Sequence, residues 1–166
     1  MNTKWTLPHN IEDTLPPESE FLDSLSQSIK SIFKSYGFHF IMPPSIEFLD
    51  SLNSLEKDRY NNNYFLTYDQ NSNATLAFRS DITVQAARID SHILSYNKIN
   101  KLYYEGKILT SNLDDEKLTR ETFQIGAEIF GTDNIFCDIE LQNILFEILL
   151  KIKLKSFFYT IGHVGF

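Results

Sequence analysis

One stretch in the first half of the chain has a strongly periodic pattern of apolar and polar positions. Between Phe21 and Tyr36, apolar residues recur every three or four positions, which is typical of an amphipathic helix. Pro17 suits the first position of this helix, and Gly37 suits the position just after its end. The residues before it, 1–16, are polar and contain prolines, so we expect an irregular lead-in.

Three weaker patterns also predict helices. The second of them has Ser80 or Asp81 as its expected cap, and the third has Asp138, because short polar side chains accept hydrogen bonds from the free N–H groups of a helix start. The three ranges are 47–55, 82–94 and a segment that ends at about Leu154.

Alternating positions and short apolar runs predict strands in much of the remaining chain. The expected strands are 38–42, 64–69, 74–79, 100–109, 121–131 and 156–164. The polar residues 70–73 join the second and third of these as a hairpin, and polar loops are expected over 57–63 and 110–120, the latter with a solvated acidic tip. Runs of strands with short turns favour an α+β fold, an antiparallel sheet flanked by helices, with residues 1–166 as a single domain.

Composition and charge exclude several classes of protein. The 166 residues are 42% hydrophobic and 14% aromatic, which indicates a globular chain. Cys137 is the single cysteine, so an intrachain disulfide is excluded and no zinc site is expected. The start has no signal-peptide pattern, and charged residues interrupt the most apolar stretch, 144–154. We therefore expect a cytoplasmic protein that contacts no membrane and, with a net charge of −7, binds no nucleic acid.

Arginine is rare among the basic residues. Such a skew, together with many Asn and Ile residues, indicates a compositional bias of the genome rather than a function. Under that bias, a retained arginine marks a site where lysine cannot replace forked, bidentate hydrogen bonding. The four arginines among the 15 basic residues are Arg59, Arg79, Arg88 and Arg120.

The segment FRSDIT (78–83) lies where a predicted strand gives way to a predicted helix. A helix start offers free N–H groups and partial positive charge. Arg79, Asp81 and Thr83 could together bind a zwitterion there, with Asp81 taking the ammonium group and Thr83 adding a hydroxyl. The alternative is that Ser80 and Asp81 only cap the helix, while Arg79 pairs with a carboxylate at the surface.

The predicted strand FQIGAEIFG (123–131) has one polar face. Gln124 and Glu128 lie on this face about 13 Å apart, at about 3.3 Å per residue, with Gly126 as an open floor between them. A small polar ligand could lie on that floor, since a glycine within a strand often marks a close approach. The alternative is a solvated strand face with a bulge at Gly126.

Taken together, FRSDITVQAARID and ETFQIGAEIFG resemble the histidyl-tRNA synthetase group of class II synthetase-like folds. Other motifs make the chain most similar to the regulatory subunit of ATP phosphoribosyltransferase, a paralogue that works in histidine biosynthesis. These motifs are WTLPHNIEDTLPPE (5–18), YGFHFIMPPSIEFLDSL (36–52) and IGHVGF (161–166). The second resembles the first class II motif, which usually lies at a dimer interface, so the resemblance implies self-association there.

The resemblance also implies a histidine site. Asp81 and Thr83, with Gln124, would hold the α-amino group, and Glu128 would face the imidazole. Thr110 stands where the synthetases have an arginine that binds the ATP α-phosphate and the amino-acid carboxylate, and a hydroxyl cannot replace a bidentate guanidinium. We therefore expect no amino-acid activation, no catalytic residue, no cofactor and no metal.

By the same resemblance, the chain is expected to be a non-catalytic regulatory subunit that assembles with the short-form catalytic subunit of ATP phosphoribosyltransferase, with histidine as an effector. Two alternatives stay open, namely a truncated or degenerate histidyl-tRNA synthetase and a free-standing histidine-binding or structural remnant. Family members continue well past their Gly-His-Val-Gly motif, so we expect a fold that is incomplete at its C-terminus and a half-built pocket. Histidine binding by the chain alone is therefore expected to be weak.

Overall fold

The computed structural model describes residues 4–53, 64–94, 98–112 and 119–162. Residues 4–17 are irregular, as predicted for the lead-in, and helices and strands then follow one another up to residue 151. In chain order they are α1 (Glu18–Ser35), β1 (His39–Phe40), β2 (Ile46–Phe48), α2 (Leu49–Asn53), β3 (Leu66–Asp69), β4 (Ala74–Phe78), α3 (Thr83–His92), β5 (Asn100–Leu109), β6 (Glu121–Phe130) and α4 (Ile135–Lys151). No helix within the described ranges has the length and apolarity needed to cross a membrane.

The two longest strands, β5 and β6, pair in antiparallel fashion along their whole length. Asn100 lies opposite Phe130 at one end of this ribbon, and Leu109 lies opposite Glu121 at the other. The short strand β1 adds to β5 in parallel, so the sheet order is β1-β5-β6. Successive side chains of a strand point to opposite faces, and therefore the ribbon has two faces that pack against different helices.

One face of the ribbon packs against α1 and α4. The three-to-four spacing of apolar residues in α1 places one stripe of that helix against the sheet, as expected for an amphipathic helix. The edge of the contact is polar, since Lys30 pairs with Glu105 at 2.6 Å. The buried core on this side consists of Ile29, Ile32, Phe33, Phe38, Tyr103 and Ile144.

The opposite face of the ribbon packs against the start of α3. Its buried core is smaller and consists of Ile82, Ala86 and Tyr104. A second sheet, ordered β2-β4-β3, ends beside this core. The link is Arg79, whose backbone oxygen accepts a hydrogen bond from the Leu109 amide at 2.9 Å. The end of β4 and the start of α3 are thereby fixed against the ribbon.

The predicted fold class is confirmed, because antiparallel pairs dominate both sheets and helices flank them. The hairpin of β3 and β4 is present, and β5 has the predicted bounds of 100–109. Helix α1 also begins and ends within a residue or two of its predicted bounds, with Pro17 at the N-cap and Gly37 at a φ of 79° after its end. The parallel pairing of β1 with β5 was not predicted.

The predicted helix over 47–55 is wrong at its start, where residues 46–48 are extended. They form β2, in which Ile46 lies opposite Phe78 of β4, and the helix is confined to Leu49–Asn53 in the described part of this segment. The two preceding residues, Pro43 and Pro44, favour extended backbone before each of them. Pairing with β4 then continues this extended path, so a tertiary contact overrides the weak local helix pattern.

Two predictions near the end of the described chain are wrong. Asn134, rather than Asp138, caps α4, because its side-chain oxygen accepts a hydrogen bond from the Phe136 amide at 3.1 Å. Residues 156–162 form no strand despite their apolar alternation, since no strand of the described ranges pairs with them. The rest of that predicted strand lies outside the described residues, as do residues 57–63 and the acidic tip of the loop over 110–120.

Candidate functional site

The start of α3 lies against the polar face of β6 and brings two of the predicted site residues together. Gln124 uses both ends of its amide: Oε1 accepts from the Ile82 amide at 3.0 Å, and Nε2 donates to Asp81 Oδ1 at 2.8 Å. Asp81 Oδ1 also accepts from the Thr83 amide at 3.0 Å. The N-cap of α3 is thus Ile82, and the prediction of Ser80 or Asp81 at this position is wrong, although Asp81 contacts the first turn of the helix and is also joined to Gln124.

The other two predicted residues meet through a tyrosine. The hydroxyl groups of Thr83 and Tyr104 lie 2.9 Å apart, and Tyr104 donates a hydrogen bond to Glu128 Oε1 at 3.1 Å. Asp81, Thr83, Gln124 and Glu128 thus border one hydrogen-bonded cluster between α3 and β6. These contacts bring the two segments together, whereas the binding of a ligand to them stays a prediction.

The cluster is acidic and partly dehydrated. Burial raises the pKa of Glu128, and the negative charge of Asp81 adds to this rise, although the nearby hydroxyl groups of Thr83 and Tyr104 oppose it, Tyr104 by a direct hydrogen bond. Asp81 Oδ2 accepts no hydrogen bond from the residues that the structure describes. Two carboxylates that face a shared site favour a ligand with positive charge and several hydrogen-bond donors.

Gly126 does not form the predicted open floor, because Tyr104 covers it. A Cβ atom on Gly126 would lie 2.5 Å from the hydroxyl oxygen of Tyr104 and 2.6 Å from Cζ of its ring. Tyr104 and Gly126 are directly opposite in the β5–β6 register, so the glycine leaves the space that the ring occupies. Sequence reasoning missed Tyr104, although a large residue opposite a strand glycine would have been found if the register had been known.

Arg79 does not take part in the cluster, contrary to the expectation that it helps to bind a zwitterion. Its side chain is buried, and the guanidinium donates to the backbone oxygens of Lys107 and Pro43, both at 2.9 Å. The alternative of a surface ion pair is wrong as well. The guanidinium lies over Gly106, where it fastens β5 to the turn before β2. Its role here is to hold the start of α3 in place.

Arg88 forms a second contact that fixes α3. Its guanidinium makes two hydrogen bonds to the carboxylate of Glu47, at 2.6 and 3.0 Å, and Gln85 donates to the same carboxylate at 2.8 Å. At Arg88 the geometry is the bidentate one that the sequence prediction for retained arginines requires, and the unsuitability of lysine there stays a prediction. The third described arginine, Arg120, lies with its guanidinium 4.2 Å from the centre of the Phe65 ring. Arg59 lies outside the described residues.

Thr110 lies buried just after β5, where its amide donates to the backbone oxygen of Arg120 at 2.9 Å. This is the position at which the resemblance implies an arginine in the synthetases. Asn112, two residues further on, is exposed. Among the described residues, no group of three or more His, Cys, Asp or Glu is arranged to hold a metal ion.

Comparison of the sequence with known families and proteins gives a consistent result. Residues 10–166 match the model of the family described as Histidyl-tRNA synthetase. The chain is 36% identical over 163 residues to the ATP phosphoribosyltransferase regulatory subunit of Thiobacillus denitrificans, with 98% of this chain and 51% of that protein covered. A protein of the same name from Ralstonia pickettii is 36% identical over 165 residues, with 99% and 43% covered. The chain thus spans about half the length of such relatives.

Solved structures show the same fold. An ATP phosphoribosyltransferase regulatory subunit/histidyl-tRNA synthetase from Bacillus halodurans superposes with a TM-score of 0.85 at 23% identity, over 97% of this chain and 41% of that one. Apo histidyl-tRNA synthetase from S. aureus superposes with a TM-score of 0.73 at 22% identity, over 90% and 35%. The fold is therefore that of the class II synthetases. Together with the match over residues 10–166, it shows that the chain belongs to the histidyl-tRNA synthetase family.

Proposed function

We propose that the chain is part of a cytoplasmic, non-catalytic regulatory subunit of ATP phosphoribosyltransferase, and that its site binds histidine. The observation on which this rests is the single hydrogen-bonded cluster that Asp81, Thr83, Gln124 and Glu128 border. Relatives with that name match nearly the whole chain. Because the chain spans about half of their length, the assembly and its regulation belong to the proposal rather than to the findings.

The chemistry of the cluster suits histidine. The amino acid offers an ammonium group at one end and imidazole N–H groups at the other, and all of these are hydrogen-bond donors. Asp81 Oδ2 would accept from the ammonium group at the start of α3, and Glu128 would accept from the imidazole. The raised pKa of Glu128 means that acid converts this acceptor into a neutral carboxyl group, so the affinity for histidine should fall as the pH is lowered through that pKa.

Thr110 supports a non-catalytic role. Phosphoryl and adenylyl transfer require a fixed cation that stabilises the charge developing on phosphate, and a threonine hydroxyl carries no charge. The Thr110 backbone is held by Arg120, so this uncharged side chain occupies a fixed, buried place at the end of β5. The proposal therefore assigns catalysis to a separate subunit.

Binding to the chain alone is tested by titrating 15N-labelled protein with L-histidine to millimolar concentrations. Such a titration detects the weak affinity expected of a half-length protein. We expect shifts of the Gln124 side-chain amide and the Gly126 backbone amide, and none with L-lysine at the same concentration. Equal shifts with both amino acids, or none with histidine, would contradict the histidine part of the proposal.

Assembly is tested by mixing the purified chain with a short-form catalytic subunit. We expect a stable complex, and a rate of joining ATP to phosphoribosyl pyrophosphate that histidine inhibits. In Glu128→Gln the complex should persist with reduced sensitivity to histidine. The control is Glu121→Gln, on the same strand but on its opposite face, where the pairing with Lys107 is largely exposed. Absence of a complex, with no change in rate or histidine sensitivity, would rule out the regulatory role.

The proposal includes self-association through residues 36–52. This segment exposes four large apolar side chains, which favour a protein contact over water. A Phe48→Lys substitution should shift the sedimentation of the chain to that of a monomer, whereas Lys34→Glu on α1 should leave it unchanged. The exposed residues are Phe40, Met42, Ile46 and Phe48.

A second candidate, a truncated histidyl-tRNA synthetase, is favoured by the description of the matching family. It predicts histidine-dependent exchange between ATP and pyrophosphate, which Glu128→Gln would abolish. We expect no exchange, because Thr110 supplies no cation for the α-phosphate. Detection of exchange by the purified chain would reverse the order of the two candidates.

A further inference from the structure

Tyr104 joins three elements of the site through one side chain. It lies on β5 with 2% of its surface exposed, and its ring lies across Gly126 of β6. Its hydroxyl is 2.9 Å from the hydroxyl of Thr83 on α3 and donates to Glu128 Oε1 on β6 at 3.1 Å. The position of the phenol oxygen is therefore set by the packing of the ring on Gly126 as well as by two hydrogen bonds.

The number of hydroxyl protons determines which group donates in each of these two hydrogen bonds. A phenol has one proton, and that of Tyr104 is given to Glu128. The short contact between Thr83 and Tyr104 must then be donated by Thr83, so the chain of donors runs from Thr83 to Tyr104 to Glu128. With its single proton used, the Thr83 hydroxyl has only lone pairs to offer a ligand. It can accept a hydrogen bond there but cannot donate one.

We infer that Tyr104 is a positioning residue, which fixes the direction of the hydrogen bonds across the site and makes Thr83 an acceptor beside Asp81. The site then presents acceptors to the ammonium end of a ligand, through Thr83 and Asp81 Oδ2, and a held carboxylate to its other end. Burial raises the pKa of the Tyr104 phenol, so this hydroxyl stays protonated and acts as a donor at neutral pH. The part of this inference that concerns histidine rests on the proposed function.

The chain contains a matched control for this role. Tyr103 is the adjacent residue on β5, and it is equally buried, with 1% of its surface exposed. It points to the other face of the ribbon, into the core formed with α1. Removing the hydroxyl of either tyrosine changes the same atom in the same strand, but only Tyr104 contacts Glu128 and Thr83.

The first experiment needs no ligand. The titration of the Glu128 carboxyl carbon is followed by NMR in the wild-type chain, in Tyr104→Phe and in Tyr103→Phe. Loss of the donor that Tyr104 provides should raise the pKa of Glu128 further, since that hydrogen bond favours the charged form and Asp81 across the site opposes it. In Tyr103→Phe the pKa should equal that of the wild type. An unchanged Glu128 titration in Tyr104→Phe would overturn the inference.

The second experiment measures histidine binding by the same variants. We expect Tyr104→Phe to weaken binding about 5- to 10-fold and Tyr103→Phe to leave it unchanged, in keeping with the net contribution of one ordinary hydrogen bond. If Tyr104→Phe is not folded, Thr83→Val removes the first donor and should also raise the pKa of Glu128, whereas Thr83→Ser should restore both readouts. If the wild type binds no histidine but the titration shift is present, Tyr104 keeps its positioning role and the proposed ligand is wrong. Equal histidine affinity in the wild type and Tyr104→Phe would remove the role of Tyr104 in binding and leave the proposed function intact.

Discussion

Each face of the β5–β6 ribbon contains one buried tyrosine, and the two tyrosines have different contacts. Tyr103 and Tyr104 are neighbours, and both are buried. Tyr103 packs among aromatic rings, 5.4 Å from the centre of Phe33, in a core whose other members are apolar. Tyr104 lies across a glycine and uses its hydroxyl to join α3 to β6. The first face stabilises the fold, and the second holds a polar cluster in a defined geometry.

The difference shows what a polar site requires of its surroundings. A half-buried carboxylate such as Glu128 is unfavourable unless hydrogen-bond donors stabilise it, and here the Thr83 hydroxyl donates to Tyr104, which donates to Glu128. These donors keep their positions only if the helix and strand that carry them are fixed. The hydrogen bonds of Arg79 and Arg88 fix α3 in place. The apolar face needs no such arrangement, because close packing without direction is sufficient there.

The largest expected effect comes from removing volume on the apolar face. Ile144 of α4 is 2% exposed and belongs to the core against α1. Ile144→Ala should lower the free energy of unfolding by about 2–5 kcal/mol, measured by urea denaturation, because a cavity remains where the side chain was. If the two faces are independent, the NMR titration of Glu128 in the folded variant should match the wild type. A shifted titration would show that the apolar face also sets the geometry of the site.

Gly126→Ala tests whether the polar face depends on the close packing of the Tyr104 ring against residue 126. The new methyl group would lie less than 3 Å from three atoms of the tyrosine, so either the ring or the strand must move. We expect a loss of about 1–3 kcal/mol in the free energy of unfolding, typical of overpacking, and an altered Glu128 titration. Gly162→Ala is the control, since a Cβ there meets nothing within 4 Å, and it should change stability by less than about 0.5 kcal/mol.

Arg88→Lys tests whether the fixed contact beneath α3 depends on a forked cation. Lysine keeps the charge but cannot make the two parallel hydrogen bonds to Glu47. We expect a loss of about 1–2 kcal/mol in thermal or urea unfolding. The reverse exchange at the exposed pair of Lys107 with Glu121, Lys107→Arg, should change stability by less than about 0.5 kcal/mol. Equal effects at the two sites would mean that the geometry around Glu47 is not specific.

Local sequence patterns predicted the faces better than they predicted the contacts across them. The alternation in 121–131 separates Gln124 and Glu128 from the apolar positions without reference to any other segment, and the structure confirms it. The contact of Tyr104 with Gly126 depends on the register between two strands, which neither strand contains by itself. For this reason Tyr104 was missed, while Gln124 and Glu128 were singled out from the pattern of their own strand.

The errors have the same origin. Arg79 stands beside Asp81 in the sequence, but its guanidinium is directed by carbonyl oxygens of Pro43 and Lys107, which are distant along the chain. Residues 156–162 have the pattern of a strand, yet a strand exists only when a neighbour pairs with it. A short pattern specifies which conformation is favourable, and the distant partner decides whether that conformation forms.

The last prediction concerns pH and separates the half-buried carboxylate of Glu128 from a carboxylate in an exposed turn. Because the pKa of Glu128 is raised in the folded chain, the folded state holds that proton more firmly than the unfolded state does. Its contribution to stability must then fall as the pH rises from the unfolded pKa, about 4.3, to the folded value, and it stays constant above that. Glu128→Gln removes this term, so the variant should gain stability relative to the wild type across this window.

Asp69 should behave in the opposite sense. Hydrogen bonds from the Ser72 hydroxyl and the Asn71 amide in the exposed β3–β4 turn lower the pKa of this carboxylate. Its stabilising contribution is present above the unfolded pKa and is lost as the pH falls through the folded value, so Asp69→Asn should lose stability relative to the wild type as the pH rises. Urea unfolding of both variants between pH 3 and 8 measures the two slopes. Slopes of the same sign would mean that burial does not govern Glu128, and the polar face would then be no more dehydrated than a surface turn.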